Sequence, residues 1–113
     1  MGRRVRACET AVVGGTDYEL RCAGCRTVHA VRTGFSRSFA FEQQVCHRCE
    51  AFVSVAVEEE IVPGPCRTCG LQLEPWRGHV WRDERGHERL EGPCPRCFAI
   101  LTQEDAVSVR PWD

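Results

Sequence analysis

A small, mostly β fold in two consecutive modules is what this 113-residue sequence predicts, and three features lead to it. Four Cys-x-x-Cys pairs recur at Cys22/Cys25, Cys46/Cys49, Cys66/Cys69 and Cys94/Cys97, taking eight of the nine cysteines. Between the pairs lie short segments in which apolar and polar residues alternate, the pattern of a strand with one buried face. A break with two prolines and a glycine, Pro63-Gly64-Pro65, divides the chain near its middle.

The elements follow in chain order. Residues 1–17 form an N-terminal basic segment carrying Arg3, Arg4 and Arg6. They also hold the ninth cysteine, Cys8, which reads as a small buried hydrophobe. The first module spans 18–57. Thr27 to Arg32 has strand character, Thr33 to Arg37 supplies a turn, and Ser38 to Val45 returns with Phe39, Phe41, Gln43 and Val45 on one face. Ala51 to Val57 is a third strand, with Val53, Val55 and Val57 sharing a face. Residues 58–65 are the linker, acidic at first and then broken by its prolines. The second module spans 66–113. Gly78 to Arg82 and Glu88 to Leu90 are the arms of a hairpin with Asp83-Glu84-Arg85-Gly86 at its tip. Phe98 to Leu101 leaves the last cysteine pair as a strand, and Val107 to Asp113 is an edge strand or a docking tail.

Paired thiolates explain how so short a chain folds. Each module falls within about 30 to 50 residues, where an apolar core rarely suffices alone. Two Cys-x-x-Cys pairs complete one tetrahedral four-cysteine metal site. The expected ligands are Cys22, Cys25, Cys46 and Cys49 on one ion, and Cys66, Cys69, Cys94 and Cys97 on the other. A segment match supports sequential pairing: Cys46-His47-Arg48-Cys49-Glu50-Ala51 agrees with Cys94-Pro95-Arg96-Cys97-Phe98-Ala99 at four of six positions. The alternative is an interleaved cross-brace joining the first pair to the third. With four cysteines per site, His29, His47, His79 and His87 are not needed as ligands, and packed or solvated side chains are their expected state.

With two knuckles per ion in a three-stranded antiparallel sheet, the chain from Cys22 to Cys97 resembles the zinc-ribbon class. The resemblance implies two tandem zinc ribbons holding two Zn2+ ions. Cys66-Arg67-Thr68-Cys69-Gly70 and Cys94-Pro95-Arg96-Cys97 also look somewhat like rubredoxin knuckles, which makes iron a minor alternative in the second site. Glycine follows only one of the knuckles, however, and its close backbone approach is what tunes such a centre.

Composition narrows compartment and partner. No apolar stretch suited to a signal peptide follows the N-terminus, and paired thiolates suit a reducing cytosol better than disulfides do. A cytoplasmic protein without membrane partners is expected. All fifteen basic residues are Arg, residues 1–57 carry +3 and residues 58–113 carry −4, and the formal net charge is −1. That charge does not suggest a nucleic-acid binder. The leading expectation is therefore a non-enzymatic interaction module, a protein adaptor or small subunit of a larger assembly. Nucleic-acid binding at the tip of the first module, through Arg32, Phe35 and Arg37, is the alternative, because it joins cations to a stacking ring. Rubredoxin-like electron transfer ranks below both. Thiol catalysis is disfavoured because no helix follows any pair to activate a nucleophile.

Overall fold

Nine antiparallel strands build the protein in a computed structural model that describes residues 14–36, 39–57 and 64–112. They are β1 (Gly14–Arg21), β2 (Val28–Phe35), β3 (Ala40–Cys46), β4 (Ala51–Val57), β5 (Glu74–Pro75), β6 (His79–Arg82), β7 (Glu88–Pro93), β8 (Ile100–Thr102) and β9 (Ala106–Trp112). A single 3₁₀ turn, Gln103–Asp105, joins β8 to β9. Cys8, Arg37 and most of the expected 58–65 linker lie outside the described residues. No helix among the described residues is long and apolar enough to cross a membrane.

The expected three-stranded sheet in each module is replaced by one sheet of six strands and one of three. The larger has the order β4-β3-β2-β1-β9, with β5 pairing to β3, and the smaller is β6-β7-β8. The C-terminal strand β9 therefore lies in the sheet of the first module, against β1. Strand β1 was not expected at all. Only Tyr18 and Leu20 mark it as apolar, and Gly14-Gly15 at its start hides it.

Alternation selects the buried face. On β2, His29, Val31 and Thr33 are buried while Val28, Ala30 and Arg32 face out. Pairing sets Tyr18 opposite Val31 and Leu20 opposite His29, so all four share one face. Leu90 and Leu101 come from the smaller sheet to meet them, and Val45, Phe52 and Trp76 complete that core. A second, smaller core gathers Cys46, Cys66 and Leu73 under Val53 and Val55, on the valine face that the sequence marked. Glu88 ties the sheets together, accepting hydrogen bonds from the Tyr18 and Thr33 hydroxyls at 2.7 and 2.8 Å.

β2 and β3 pair only at Phe35 and Ala40, and their ladder then opens. Side chains take over where the backbone ladder stops. The Arg32 N–H donates to Ser54 Oγ at 2.9 Å, Ser54 Oγ donates to Gln43 Oε1 at 2.7 Å, and Gln43 Nε2 donates to Arg32 O at 2.6 Å. This closed ring holds the β3–β4 hairpin to β2. Removing one member costs on the order of 1 kcal/mol, so Ser54→Ala and Gln43→Ala should each lower stability by about that amount. The double variant should lose clearly less than the sum, because both deletions break the same ring. Urea unfolding at a fixed free metal concentration measures this, and strictly additive losses would show that the bonds act separately.

Candidate metal centres

Every Cys-x-x-Cys pair sits at the tip of an antiparallel hairpin. β1 and β2 close on Cys22 and Cys25 just beyond Arg21↔Val28, and β3 and β4 close on the second pair at Cys46↔Ala51. β7 and β8 close on the fourth pair beyond Pro93↔Ile100, and the Pro65↔Gln72 bridge does the same for the third. The tips share one construction. In each, the amide of the residue after the second cysteine donates to the carbonyl of the first: Arg26 to Cys22, Glu50 to Cys46, Gly70 to Cys66 and Phe98 to Cys94, at 2.8–2.9 Å. All four donors are left-handed, with φ of 66°, 55°, 82° and 68°. This is the turn that ends a helix in a left-handed residue, shrunk to one loop. The sequence marked it only at Gly70, because the other three positions lack the glycine that such backbone favours. The knuckle conformation is uniform where the knuckle sequences are not.

The tips then come together in nested order, which corrects the sequential pairing. Cys22, Cys25, Cys94 and Cys97 form an outer group, and Cys46, Cys49, Cys66 and Cys69 an inner one, all ligand atoms of a group lying within 4.8 Å of one another. The first pair therefore meets the fourth and the second meets the third, and the cross-brace alternative is set aside as well. Across each group the sulfurs approach to 3.4 Å (Cys22–Cys97 and Cys46–Cys69), 3.8 Å (Cys25–Cys94) and 3.9 Å (Cys49–Cys66). A tetrahedral ion with metal–sulfur bonds of about 2.3 Å places its sulfurs about 3.8 Å apart. A disulfide needs about 2.05 Å, and all eight are free thiols. Each group could hold one metal ion, with four thiolates filling its coordination shell.

No protein-family model, curated protein or solved structure matches this chain. Its chemistry is read from its own residues.

In every pair the first cysteine is buried and the second is more exposed. The surroundings of the two groups differ. In the outer group, His29 Nε2 lies 3.3 Å from Cys94 Sγ, and burial holds the imidazole pKa below its ordinary value, so a neutral ring can donate to the sulfur. A backbone amide reaches a sulfur in both groups, Arg96 N–H to Cys94 Sγ at 3.4 Å and Cys49 N–H to Cys46 Sγ at 3.3 Å, so the histidine is what sets the outer group apart. Sequence reasoning left His29 as an ordinary packed residue. The signal for its role is its strand position seven residues after Cys22 in the alternating buried set, which becomes legible only once the fourth knuckle is known to lie beside it.

Protonation divides each group. Hydrogen bonds from Thr27 pull the Cys25 thiol down to about 6, and backbone amides of Cys69 and Thr68 do the same for Cys66, also to about 6. Burial pushes the Cys94 thiol up to about 12, and sharing with Cys46 and Cys69 raises Cys49 to about 12. At neutral pH each ion-free group thus keeps at least one proton that an arriving cation must displace.

Of the residues considered for nucleic acid, Arg32 and Phe35 lie within the described residues, both on β2. Arg32 is held by Asp17 at 2.6 and 2.8 Å, and its guanidinium lies over the Phe41 and Trp112 rings. Phe35 is exposed at the end of β2, three residues on, an odd step that strand alternation assigns to the opposite face. Arg37 lies outside the described residues.

Lowering the pH from 8 to 6 should weaken metal binding by at least about tenfold per unit at each site, because each ion displaces at least one proton. Chelator competition at several pH values measures the slope, and a pH-independent affinity would contradict the assigned protonation. A fragment of residues 1–62 carries half of each group, so it should neither fold nor hold an ion with four thiolates. A folded, tightly metal-bound fragment by circular dichroism and native mass spectrometry would restore the sequential pairing.

Proposed function

We propose that this chain is a non-enzymatic zinc-binding interaction module, a cytoplasmic protein adaptor or small subunit held in shape by two Zn2+ ions. The observation that supports this reading most directly is closure of both cysteine groups. Four thiolates fill a tetrahedral shell, whereas a catalytic zinc keeps a position open for water or substrate. In construction each centre is a zinc ribbon of two knuckles, with one ribbon set inside the other. Zinc rather than iron suits the outer centre, where a bulky Phe98 stands at the left-handed position after the knuckle.

Charge and surface favour a protein partner over nucleic acid. The formal charge of −1 counts the cysteines as neutral. Eight thiolates and two divalent ions together add four negative charges, taking it to −5. A polyanion gains little from such a surface. Beside the outer centre, Phe98 and Ile100 are 66% and 61% exposed. A cleft of about 420 Å³ next to them is lined by Pro75, Trp76, Pro93, Pro95 and Phe98. Exposed aromatic and apolar groups of this kind are what protein interfaces use. The nucleic-acid alternative depends on Arg32, whose guanidinium already has an anionic partner in Asp17.

Mobility-shift assays at low salt test the choice, using zinc-loaded protein with single- and double-stranded DNA and RNA. The expected result is no shift at micromolar protein. A shift that weakens steeply with salt, and that Phe35→Ala reduces by roughly 5- to 150-fold, would establish the alternative instead. Colour separates iron from zinc, since iron thiolate centres absorb visible light and zinc centres do not.

A further inference from the structure

We infer that the nesting makes the two centres load as one coupled unit, with the inner centre filled first. This inference rests on the metal-binding reading proposed above. The order comes from chain length. The nearest ligands across the inner centre, Cys49 and Cys66, are 17 residues apart, whereas Cys25 and Cys94 of the outer centre are 69 apart. Closure probability of a flexible loop falls with length to the power 3/2, so the inner loop closes about eightfold more readily.

The coupling comes from packing, through side chains that touch both centres. Phe52 lies on β4, in the hairpin that carries Cys46 and Cys49, and its ring meets His29 edge-on at 5.5 Å. His29 reaches Cys94 Sγ of the outer centre at 3.3 Å. Trp76 is fastened at both ends. Its backbone N–H donates to Gln43 O of β3, and its Nε1–H donates at 2.7 Å to Pro93 O, one residue before Cys94. Its ring packs edge-on against Phe52 at 5.1 Å. On the surface, Arg96 from inside the outer knuckle lies 3.6 Å from Glu50, the residue that follows Cys49. The floor of the outer centre is thus built from elements that the inner centre holds in place. An ion in either centre pre-forms part of the other, and the gain is reciprocal between them.

Titration of the ion-free chain with Co2+ under chelator competition, followed by thiolate absorption and native mass spectrometry, tests this. The wild-type chain should pass from no ions to two with the one-ion species well below the half expected of independent sites at one equivalent. Cys25→Ser/Cys97→Ser leaves only the inner centre, and Cys49→Ser/Cys69→Ser only the outer. Each should hold its ion at least tenfold more weakly than the wild type, the inner-only variant about eightfold tighter than the outer-only one. Phe52→Leu keeps all eight cysteines and should still take up two ions, but through a one-ion species raised several-fold. The coupling is overturned if the wild type shows statistical loading, or if Phe52→Leu loads as cooperatively as the wild type. The order is overturned if the outer-only variant binds more tightly. A wild-type chain that takes up no ion would sink the metal-binding reading, and this inference with it.

Discussion

The constraint on which the rest of the structure depends is the meeting of hairpin tips far apart in sequence. Short antiparallel hairpins are marginal alone in water, and none of those here has a large core of its own. Two groups of sulfurs at their tips fix which hairpin faces which. Bringing Cys22 and Cys25 to Cys94 and Cys97 returns the end of the chain to its beginning. That return sets β9 beside β1 and lays β7 and β8 across the buried face of β1 and β2. Each bound ion would contribute on the order of 10–16 kcal/mol, as structural zinc does in small peptides. That is comparable with the whole stability of an ordinary domain, so a chain that bound both ions would not be expected to keep its fold without them.

Local features of the sequence were legible because their causes are local. A Cys-x-x-Cys pair specifies its own tight turn, and alternation in Phe41-Glu42-Gln43-Gln44-Val45 specifies a strand, so eight candidate ligands and most strands could be located, although Gln44, on the face expected to be open, is buried beside Val45. Pairing of the knuckles could not, because every Cys-x-x-Cys presents the same two sulfurs in the same turn. Choice of partner is a property of the whole topology. The segment match between the second and fourth knuckles misled for the same reason. Both end hairpins of the same kind, yet one belongs to the inner centre and the other to the outer. Likeness between them reflects a shared local turn and carries no information about which cysteine group each joins.

Arg32 illustrates the same boundary at a single residue. In sequence it is a cation near a phenylalanine in a region of positive excess. In the fold it stands on the outward face of β2, where pairing brings Asp17 of β1 directly opposite. Trp112, at the far end of the chain, reaches the same spot because β9 pairs with β1, and its indole N–H donates to Thr33 O at 2.9 Å. The guanidinium is exposed, so its ion pair contributes little to stability. The same guanidinium is committed to the Asp17 carboxylate and the faces of two rings.

Nesting also changes what the left-handed knuckle residues mean. Glycine is the residue such backbone prefers, and a non-glycine there carries a cost of about 1–2 kcal/mol. Three of the four knuckles accept that cost, at Arg26, Glu50 and Phe98. Two of the three side chains do something across a boundary: Glu50 faces Arg96 of the other centre, and Phe98 lines the apolar cleft between β5 and the outer knuckle. At Gly70 an added Cβ would meet no atom within 4 Å. A side chain stands at Glu50, which faces Arg96, and at Phe98, which lines the cleft, whereas a Cβ at Gly70 would have open space around it. At Glu50 and Phe98 the residue after the knuckle thus follows where that knuckle docks, while the side chain at Arg26 has no such explanation. The turn itself, which is the same in all four, does not decide which residue stands there.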